Sequence, residues 1–136
     1  MKGTYLLIIQ MKNNSIIQIG KLGNVRFYNG YYAYVGSALN GLEQRILRHL
    51  RQQKKIHWHI DYVLKKANII EIFYKESNVK EECGIAEILD KKLSSIPYLG
   101  SSDCSCKSHL FYGSYETIKN IINKLKMKQF LIDAKY

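Results

Sequence analysis

The chain has 136 residues, of which 46% are apolar and 24% charged, a composition that fits one folded domain and argues against disorder. Lysine and arginine number 21 against 11 acidic residues, and the net charge of +10 favours a polyanionic partner, of which nucleic acid is the commonest. Anionic membrane surfaces and a ribosome-type binding role also fit this charge. No apolar run is long enough to span a membrane and no signal-peptide pattern is visible, so we expect a cytoplasmic protein.

The first third of the chain has the alternating apolar pattern of antiparallel strands. Residues 4–10 are apolar on both faces, which predicts a buried strand, and shorter strands are predicted over 15–19 and 25–28. Asn29-Gly30 predicts a hairpin turn into a strand over 31–35, because both central residues of a type I′ turn need positive φ. These strands predict an antiparallel meander.

The remaining two thirds alternate between helical and extended patterns. The predicted elements, in chain order, are helices over 42–53 and 56–67, strand 69–74, helix 79–93, a loop over 94–107, strand 108–112, and helix 115–128 capped by Ser114. The fold class is therefore predicted as α/β of the α+β type, a single domain with a mostly antiparallel central sheet flanked by helices.

The predicted helix over 42–53 places two polar side chains beside its apolar stripe. Arg45 and His49 are one turn apart at the edge of this stripe, whereas Arg48 and Arg51 point toward solvent. Because a strand with Tyr34 and a Gly-Ser turn come just before this helix, we expect a phenol, an arginine and a histidine to form an anion site.

These residues also carry a resemblance to a known family. Gly3-Thr4-Tyr5, Tyr34-Val35-Gly36 and Arg45 resemble the pattern of the GIY-YIG nucleases. The wider string YVGSALNGLEQRILRHLRQQKKIHWHIDYVL, followed by Glu82-Cys83 and SSDCSCKSHL, is similar to one branch, the small stand-alone proteins grouped as domain-of-unknown-function family 123. The resemblance extends from Gly3 to about Tyr112.

This resemblance implies a metal-dependent nuclease that hydrolyses phosphodiester bonds in nucleic acid, and we expect a DNA endonuclease. Glu82 would hold one Mg²⁺ or Mn²⁺, and Tyr5, helped by Tyr34, would accept the proton of the attacking water. Arg45 would bind the phosphate oxygens, and His49 would support either the phosphate or a catalytic phenol. The amide residue that usually follows the metal-binding glutamate in this superfamily has no equivalent here.

Glu82 can also be assessed from helical periodicity alone. It falls within the apolar arc of the predicted helix over 79–93, where an uncompensated carboxylate is costly. It could equally be a first-turn glutamate that the helix dipole favours. The neighbouring Glu81 stays open as a second candidate. The arc consists of Ile85, Ala86, Ile88, Leu89 and Leu93.

Polar and aromatic residues near the predicted site are candidates for contacting nucleic acid. The residues proposed for this role are Ser37, Arg48, Arg51, Lys54, Lys55, His57, Trp58 and His59. Whether His57 or His59 reaches the site is open, and Trp58 with Tyr62 is expected on the far face of its helix. Two other functions compete with the nuclease. One is a catalytically inactive nucleic-acid-binding module, and the other is a basic adaptor that docks a partner through the Trp58–Tyr62 face.

Three cysteines are an odd number, which argues against a secreted disulfide framework. Cys104, Cys106 and His109 have a spacing that could hold zinc but offers only three ligands. A structural loop with small buried thiols is the favoured interpretation, and a bond from Cys83 to Cys104 or Cys106 stays open.

Overall fold

The central strand of the fold, β1, runs from Gly3 to Met11 in a computed structural model that describes residues 2–101 and 106–132. Leu7 and Ile9 are fully buried on one face of this strand, and Leu6 and Ile8 are fully buried on the other. Since successive strand side chains alternate between faces, the predicted strand with two apolar faces is confirmed.

The central sheet is antiparallel throughout the described residues and has six strands. Strands β2 and β3 pair with each other in a separate two-stranded sheet. The central sheet has the order β6-β7-β4-β1-β5-β8. The strands after β1 are β2 (Ser15–Gln18), β3 (Asn24–Phe27), β4 (Gly30–Ala38), β5 (Asn68–Glu76), β6 (Ser94–Ser95), β7 (Leu110–Gly113) and β8 (Lys128–Phe130).

Helices cover both faces of this sheet. Helix α1 (Leu42–Leu50) and helix α2 (His59–Val63) pack with the β2–β3 hairpin against the face that contains Tyr5 and Leu7. Helix α3 (Glu82–Lys92) and helix α4 (Tyr115–Leu125) pack against the opposite face. The predicted α+β class with a mostly antiparallel sheet is therefore confirmed. Within the described ranges, no helix has the length and apolar character needed to cross a membrane.

The predicted meander and its Asn29-Gly30 hairpin are wrong. Strand β4 pairs with β1 and β7 rather than with β3, and it extends through Ala38. The backbone N–H of Tyr28 donates to the Tyr32 hydroxyl, which in turn donates to the Tyr28 carbonyl. The Tyr32 hydroxyl thus makes the two hydrogen bonds to the Tyr28 backbone that a neighbouring strand would make in a hairpin.

The predicted helix over 56–67 is much shorter in the structure. Asp61 Oδ2 accepts the backbone N–H groups of His57 and Trp58, which holds this segment extended, and α2 begins only at His59.

The predicted helix over 42–53 ends at Leu50. Lys54 Nζ there donates to two carbonyls at the helix end, which satisfies groups that a longer helix would have paired.

The last third also departs from the prediction at element ends. Helix α3 starts at Glu82 rather than at residue 79, and Ile88, expected inside, is 41% exposed. The predicted loop over 94–107 contains the short strand β6, and the unpredicted β8 follows α4. Ser114 caps α4 as predicted, since its hydroxyl accepts the N–H of Thr117.

Candidate functional site

A cleft of about 360 Å³ opens where the ends of β1, β4, α1 and α3 come together. Its walls are mixed in character, with two cationic side chains and one carboxylate among the described residues. The lining residues are Tyr5, Tyr34, Gly36, Ser37, Leu39, Arg45, Trp58, Lys80, Glu82, Gly100 and His109.

Four of the five predicted catalytic residues line this cleft: Tyr5, Tyr34, Arg45 and Glu82. The fifth, His49, is buried directly behind Tyr5, with its Nε2 2.7 Å from the Tyr5 hydroxyl. The structure therefore brings together the five residues that the sequence resemblance had assigned to one site.

The antiparallel register of β1 and β4 sets the position of Tyr5. Tyr5 is directly opposite Gly36, and a Cβ on Gly36 would lie 2.5 Å from the Tyr5 hydroxyl oxygen. No side chain fits in this space, so glycine is needed for the phenol to cross the neighbouring strand. Tyr34, opposite Leu7 on the same face, is diagonal to Tyr5.

Burial keeps both cleft phenols protonated at neutral pH. Loss of solvent raises the pKa of Tyr5 well above its ordinary 10, although the Arg45 guanidinium lowers part of this rise. Burial also raises the pKa of Tyr34, and the nearby Tyr5 and Glu82 add to that rise. Neither tyrosine is therefore a phenolate in the protein by itself.

His49 is a neutral imidazole at physiological pH. Burial lowers its pKa from 6.5 to about 3, although the charge of Asp61 opposes this shift. Its Nδ1 is buried and has no hydrogen-bond partner within residues 2–101 and 106–132. In one tautomer the Tyr5 hydroxyl donates to Nε2, and in the other Nε2–H donates to that hydroxyl. His49 thus positions Tyr5 and does not line the cleft itself.

Arg45 is held over the cleft by two contacts. Its Nη1 donates to the Ser37 carbonyl at 3.2 Å, and its guanidinium carbon is 4.6 Å from the centre of the Trp58 ring. The predicted placement of Trp58 on a far helix face is wrong, because the extended backbone at Trp58 turns its ring into the cleft. Tyr62, like Trp58, is partly buried and packs on the apolar core.

Arg48 was expected to point toward solvent and contact nucleic acid, but the structure turns its guanidinium onto Asp61 and leaves the side chain 20% exposed. Its guanidinium makes two hydrogen bonds to the Asp61 carboxylate, at 3.1 and 3.0 Å, and lies 4.3 Å from the Trp58 ring centre. Asp61 is almost fully buried. Burial would raise its pKa, but the hydrogen bonds from Arg48 and from two backbone N–H groups lower it overall. This ion pair fixes the segment that carries Trp58.

The other predicted nucleic-acid contacts lie around or behind the cleft, except for Ser37, which lines it. Arg51, Lys55 and His57 are exposed and available to a large ligand, whereas the Lys54 ammonium is engaged by carbonyls at the end of α1. Neither His57 nor His59 lines the cleft. His59 acts indirectly, because its Nδ1 accepts the N–H of Gly100, which does.

Glu82 is the first residue of α3 and directs its carboxylate into the cleft. Its side chain is 13% exposed and lies 3.6 Å from Lys80 Nζ and 4.0 Å from His109 Nδ1. Glu81 instead pairs with Lys75 at 3.5 Å and does not line the cleft, so of the two glutamates only Glu82 faces it. One carboxylate in an open, hydrated cleft suits Mg²⁺, which retains several waters and needs few protein ligands.

Sequence reasoning missed Leu39, Lys80, Gly100 and His109 as cleft residues. His109 was considered only as a zinc ligand, and it reaches the cleft because β7 pairs beside Tyr34 on β4. No local pattern signals this pairing, which joins residues far apart in the chain. Cys104, also considered as a zinc ligand, lies outside the described residues.

Comparison with known proteins gives a family but no characterised relative. No curated protein matches the chain. No solved structure matches it either. A family model described as domain of unknown function DUF123 matches residues 4–130, which includes every cleft residue. The chain therefore belongs to the DUF123 family.

Proposed function

We propose that the protein is a divalent-metal-dependent endonuclease that hydrolyses phosphodiester bonds in nucleic acid, with DNA as the expected substrate, and that its cleft is of the GIY-YIG type. One observation carries the proposal. Tyr5, Arg45 and Glu82 come from three distant parts of the chain, yet they line the same cleft. A binding surface alone does not require a phenol, a guanidinium and a carboxylate to converge.

The charges of the cleft suit a phosphate group. Arg45 and Lys80 supply positive charge, and the contact of Arg45 with Ser37 and Trp58 fixes its orientation before substrate arrives. Arginine donates two hydrogen bonds in a planar fork and stays charged, so Arg45 binds the nonbridging oxygens where negative charge develops.

Glu82 would hold the metal ion. When bound, Mg²⁺ or Mn²⁺ supplies positive charge next to the leaving oxygen and lowers the pKa of nearby hydroxyl groups. The neighbouring Lys80 neutralises the Glu82 carboxylate in the absence of substrate, since the two charges are 3.6 Å apart.

The Tyr5–His49 pair would handle the proton of the attacking water. Tyr5 oxygen accepts this proton while the Tyr5 hydroxyl proton passes to His49 Nε2, across the 2.7 Å hydrogen bond. This step uses the tautomer that has its proton on Nδ1, and it works against the burial that lowers the pKa of His49; the negative charge of bound phosphate would offset that burial. Tyr34 encloses the same region and excludes bulk water.

One observation favours a second candidate, a nucleic-acid-binding module without activity. Burial raises the pKa of both Tyr5 and Tyr34, so the protein by itself offers no phenolate as a base. Under this alternative, the cleft binds phosphate through Arg45 and Lys80 and no bond is broken.

The two candidates are separated by a cleavage assay with Mn²⁺ on duplex, branched and single-stranded DNA and on structured RNA. For the nuclease, Glu82→Gln lowers cleavage about a thousandfold, on the order of 4 kcal/mol of transition-state stabilisation. Glu81→Gln, one position along and outside the cleft, is the matched control and stays near wild-type activity.

Binding is measured on the same variants. DNA affinity of Glu82→Gln persists or rises, because a negative charge facing phosphate has been removed. The logarithm of the affinity falls by about 0.9 per phosphate contact for each log unit of salt. Salt-sensitive binding without cleavage on any substrate supports the inactive module. Equal cleavage by Glu82→Gln and the wild type contradicts the assignment of Glu82.

A further inference from the structure

A second group of potential metal ligands lies behind Glu82. Cys83, Cys106 and His109 each direct one ligand atom, a thiol sulfur or a ring nitrogen, into a common space, and these atoms all lie within 4.8 Å of one another. Cys83 comes from α3, whereas the other two residues lie just before the start of β7. The residues are 23 or more positions apart from Cys83 along the chain, so the fold rather than local sequence brings them together.

The backbone at two of these positions is well fixed. His109 donates its backbone N–H to the Leu99 carbonyl at 2.9 Å and accepts the Val35 N–H at 3.0 Å. Cys83 is the second residue of α3, where the positive end of the helix dipole favours a thiolate. Cys83 and Cys106 are partly buried and His109 is buried, so the group is shielded but reachable.

We propose that Cys83, Cys106 and His109 form a zinc site. Thiolate and imidazole are ligands that zinc prefers, whereas Mg²⁺ and Mn²⁺ prefer oxygen, so this site is distinct from the Glu82 position. Ligand atoms around tetrahedral zinc are roughly 3.5–3.8 Å apart, which follows from bond lengths of about 2.0–2.3 Å. A contraction of about 1 Å from the observed separation would therefore form the site.

Protons and charge both balance when these three groups bind zinc. Each cysteine thiol releases its proton to solvent, and the two thiolates neutralise the charge of Zn²⁺. His109 contributes a neutral ring nitrogen. Zinc takes four ligands, so these three leave one position to be filled.

The site would connect α3 to the start of β7. Glu82 immediately precedes Cys83, and Glu82 Oε2 lies 4.0 Å from His109 Nδ1. Carboxylates next to metal-bound histidines commonly orient the ring. The zinc ion would therefore hold the helix end that presents Glu82 to the cleft.

The structure changes the ligand set considered from sequence. The C-x-C-x-x-H spacing suggested Cys104, Cys106 and His109, but Cys83 completes the group among the described residues. A disulfide between Cys83 and Cys106 is the competing use of the same two sulfur atoms.

The test measures metal content and thiol content, not nuclease activity. Protein purified with zinc and then dialysed is expected to contain one zinc per chain by elemental analysis. After chelation, addition of Co²⁺ to the wild type should give the visible bands of a tetrahedral thiolate complex, and zinc should raise the melting temperature by several degrees.

Cys83→Ser and Cys106→Ser should each lose the stoichiometric zinc and the cobalt bands. Asp90→Asn removes a carboxylate that shares a surface pocket with Cys106 but is outside the ligand group, so it is the matched control and should retain both. The wild-type cobalt spectrum keeps the proposal testable if a variant fails to fold.

Full zinc content in Cys83→Ser would overturn the proposal, and so would zinc loss from Asp90→Asn as complete as from Cys83→Ser. If the wild-type protein is free of metal and thiol titration under denaturing conditions finds one thiol instead of three, the disulfide has formed instead. Because none of these readouts depends on cleavage, failure of the zinc proposal is distinguishable from failure of the nuclease proposal.

Discussion

The two faces of the central sheet have very different interiors. The face covered by α3 and α4 has an apolar core of residues such as Leu6, Ile8 and Leu89. The face covered by α1 and α2 buries polar groups within its core, among them Tyr5, His49 and Asp61. Each buried polar group has a desolvation cost that an apolar residue of similar size avoids. Their concentration beside one cleft, to which α3 adds Glu82 at its first residue, indicates that this face holds most of the chemistry, whereas α3 and α4 otherwise cover a mainly apolar core.

The two largest stability effects are expected at Asp61 and Leu89, one on each face. Asp61→Ala leaves Arg48 and two backbone N–H groups without their acceptor and should lower the free energy of unfolding by about 3 kcal/mol. Leu89→Ala on the opposite face should cost a similar amount, about 2–5 kcal/mol, through a cavity. Urea denaturation measures both losses.

Fluorescence distinguishes these two variants, because Trp58 is the chain's single tryptophan and lines the cleft. Asp61→Ala should shift the emission of the folded protein, since Asp61 holds the Trp58 backbone. Leu89→Ala should leave the emission unchanged. An equal shift in both variants would contradict the separation of the two faces.

A pair of glycines gives the next largest contrast. Gly36→Ala places a Cβ against Tyr5 and should cost about 2 kcal/mol while displacing Tyr5 from His49. Gly84→Ala in α3 meets nothing within 4 Å and should stabilise the protein by about 0.5–1 kcal/mol. Thermal unfolding of both variants is the measurement, and a neutral Gly36→Ala would show that Tyr5 is not constrained as described.

The smallest effect is a pH dependence assigned to His49. Its pKa falls from 6.5 to about 3 on folding, so the unfolded chain binds more protons between these values and stability falls as pH is lowered. Between about pH 6.5 and pH 5 the wild type should lose roughly 1.5 kcal/mol from this group. The depressed pKa of Asp61 contributes only below the usual carboxyl range.

Denaturant titrations of His49→Gln at both pH values test this assignment. Glutamine can keep a hydrogen bond to Tyr5 but does not titrate, so most of the slope should disappear. The pKa of His109 is also lowered by burial, and any slope that remains belongs to that residue. An unchanged slope in His49→Gln would mean that His49 is not buried in the neutral form.

Much of the fold was predictable because its strongest elements have local signals. The doubly apolar β1 and the Ser114-capped α4 were predicted from pattern alone. The α2 boundary was not, because a buried carboxylate, Asp61, stops the helix by binding backbone N–H groups of residues before it. A side chain that binds backbone N–H groups in this way does not change the spacing of the apolar residues, so the apolar pattern does not reveal it.

The candidate site shows the same division. Tyr5, Arg45 and Glu82 were found from motif order, and the Arg45–His49 pair from helical spacing. The location of Trp58 depends on an extended backbone segment, and that of His109 depends on the pairing of β4 with β7. Only three-dimensional contacts determine these two features.

The central claim is that Glu82 holds a divalent ion in the cleft beside Tyr5 and Arg45. Crystals of the protein soaked in Mn²⁺ test it most directly, with anomalous scattering at the manganese edge and Glu82→Gln crystals as the control. We expect an anomalous peak bonded to the Glu82 carboxylate in the wild type and none in the variant. A wild-type peak at Glu81 or at the Cys83 group, with no density at Glu82, would contradict it.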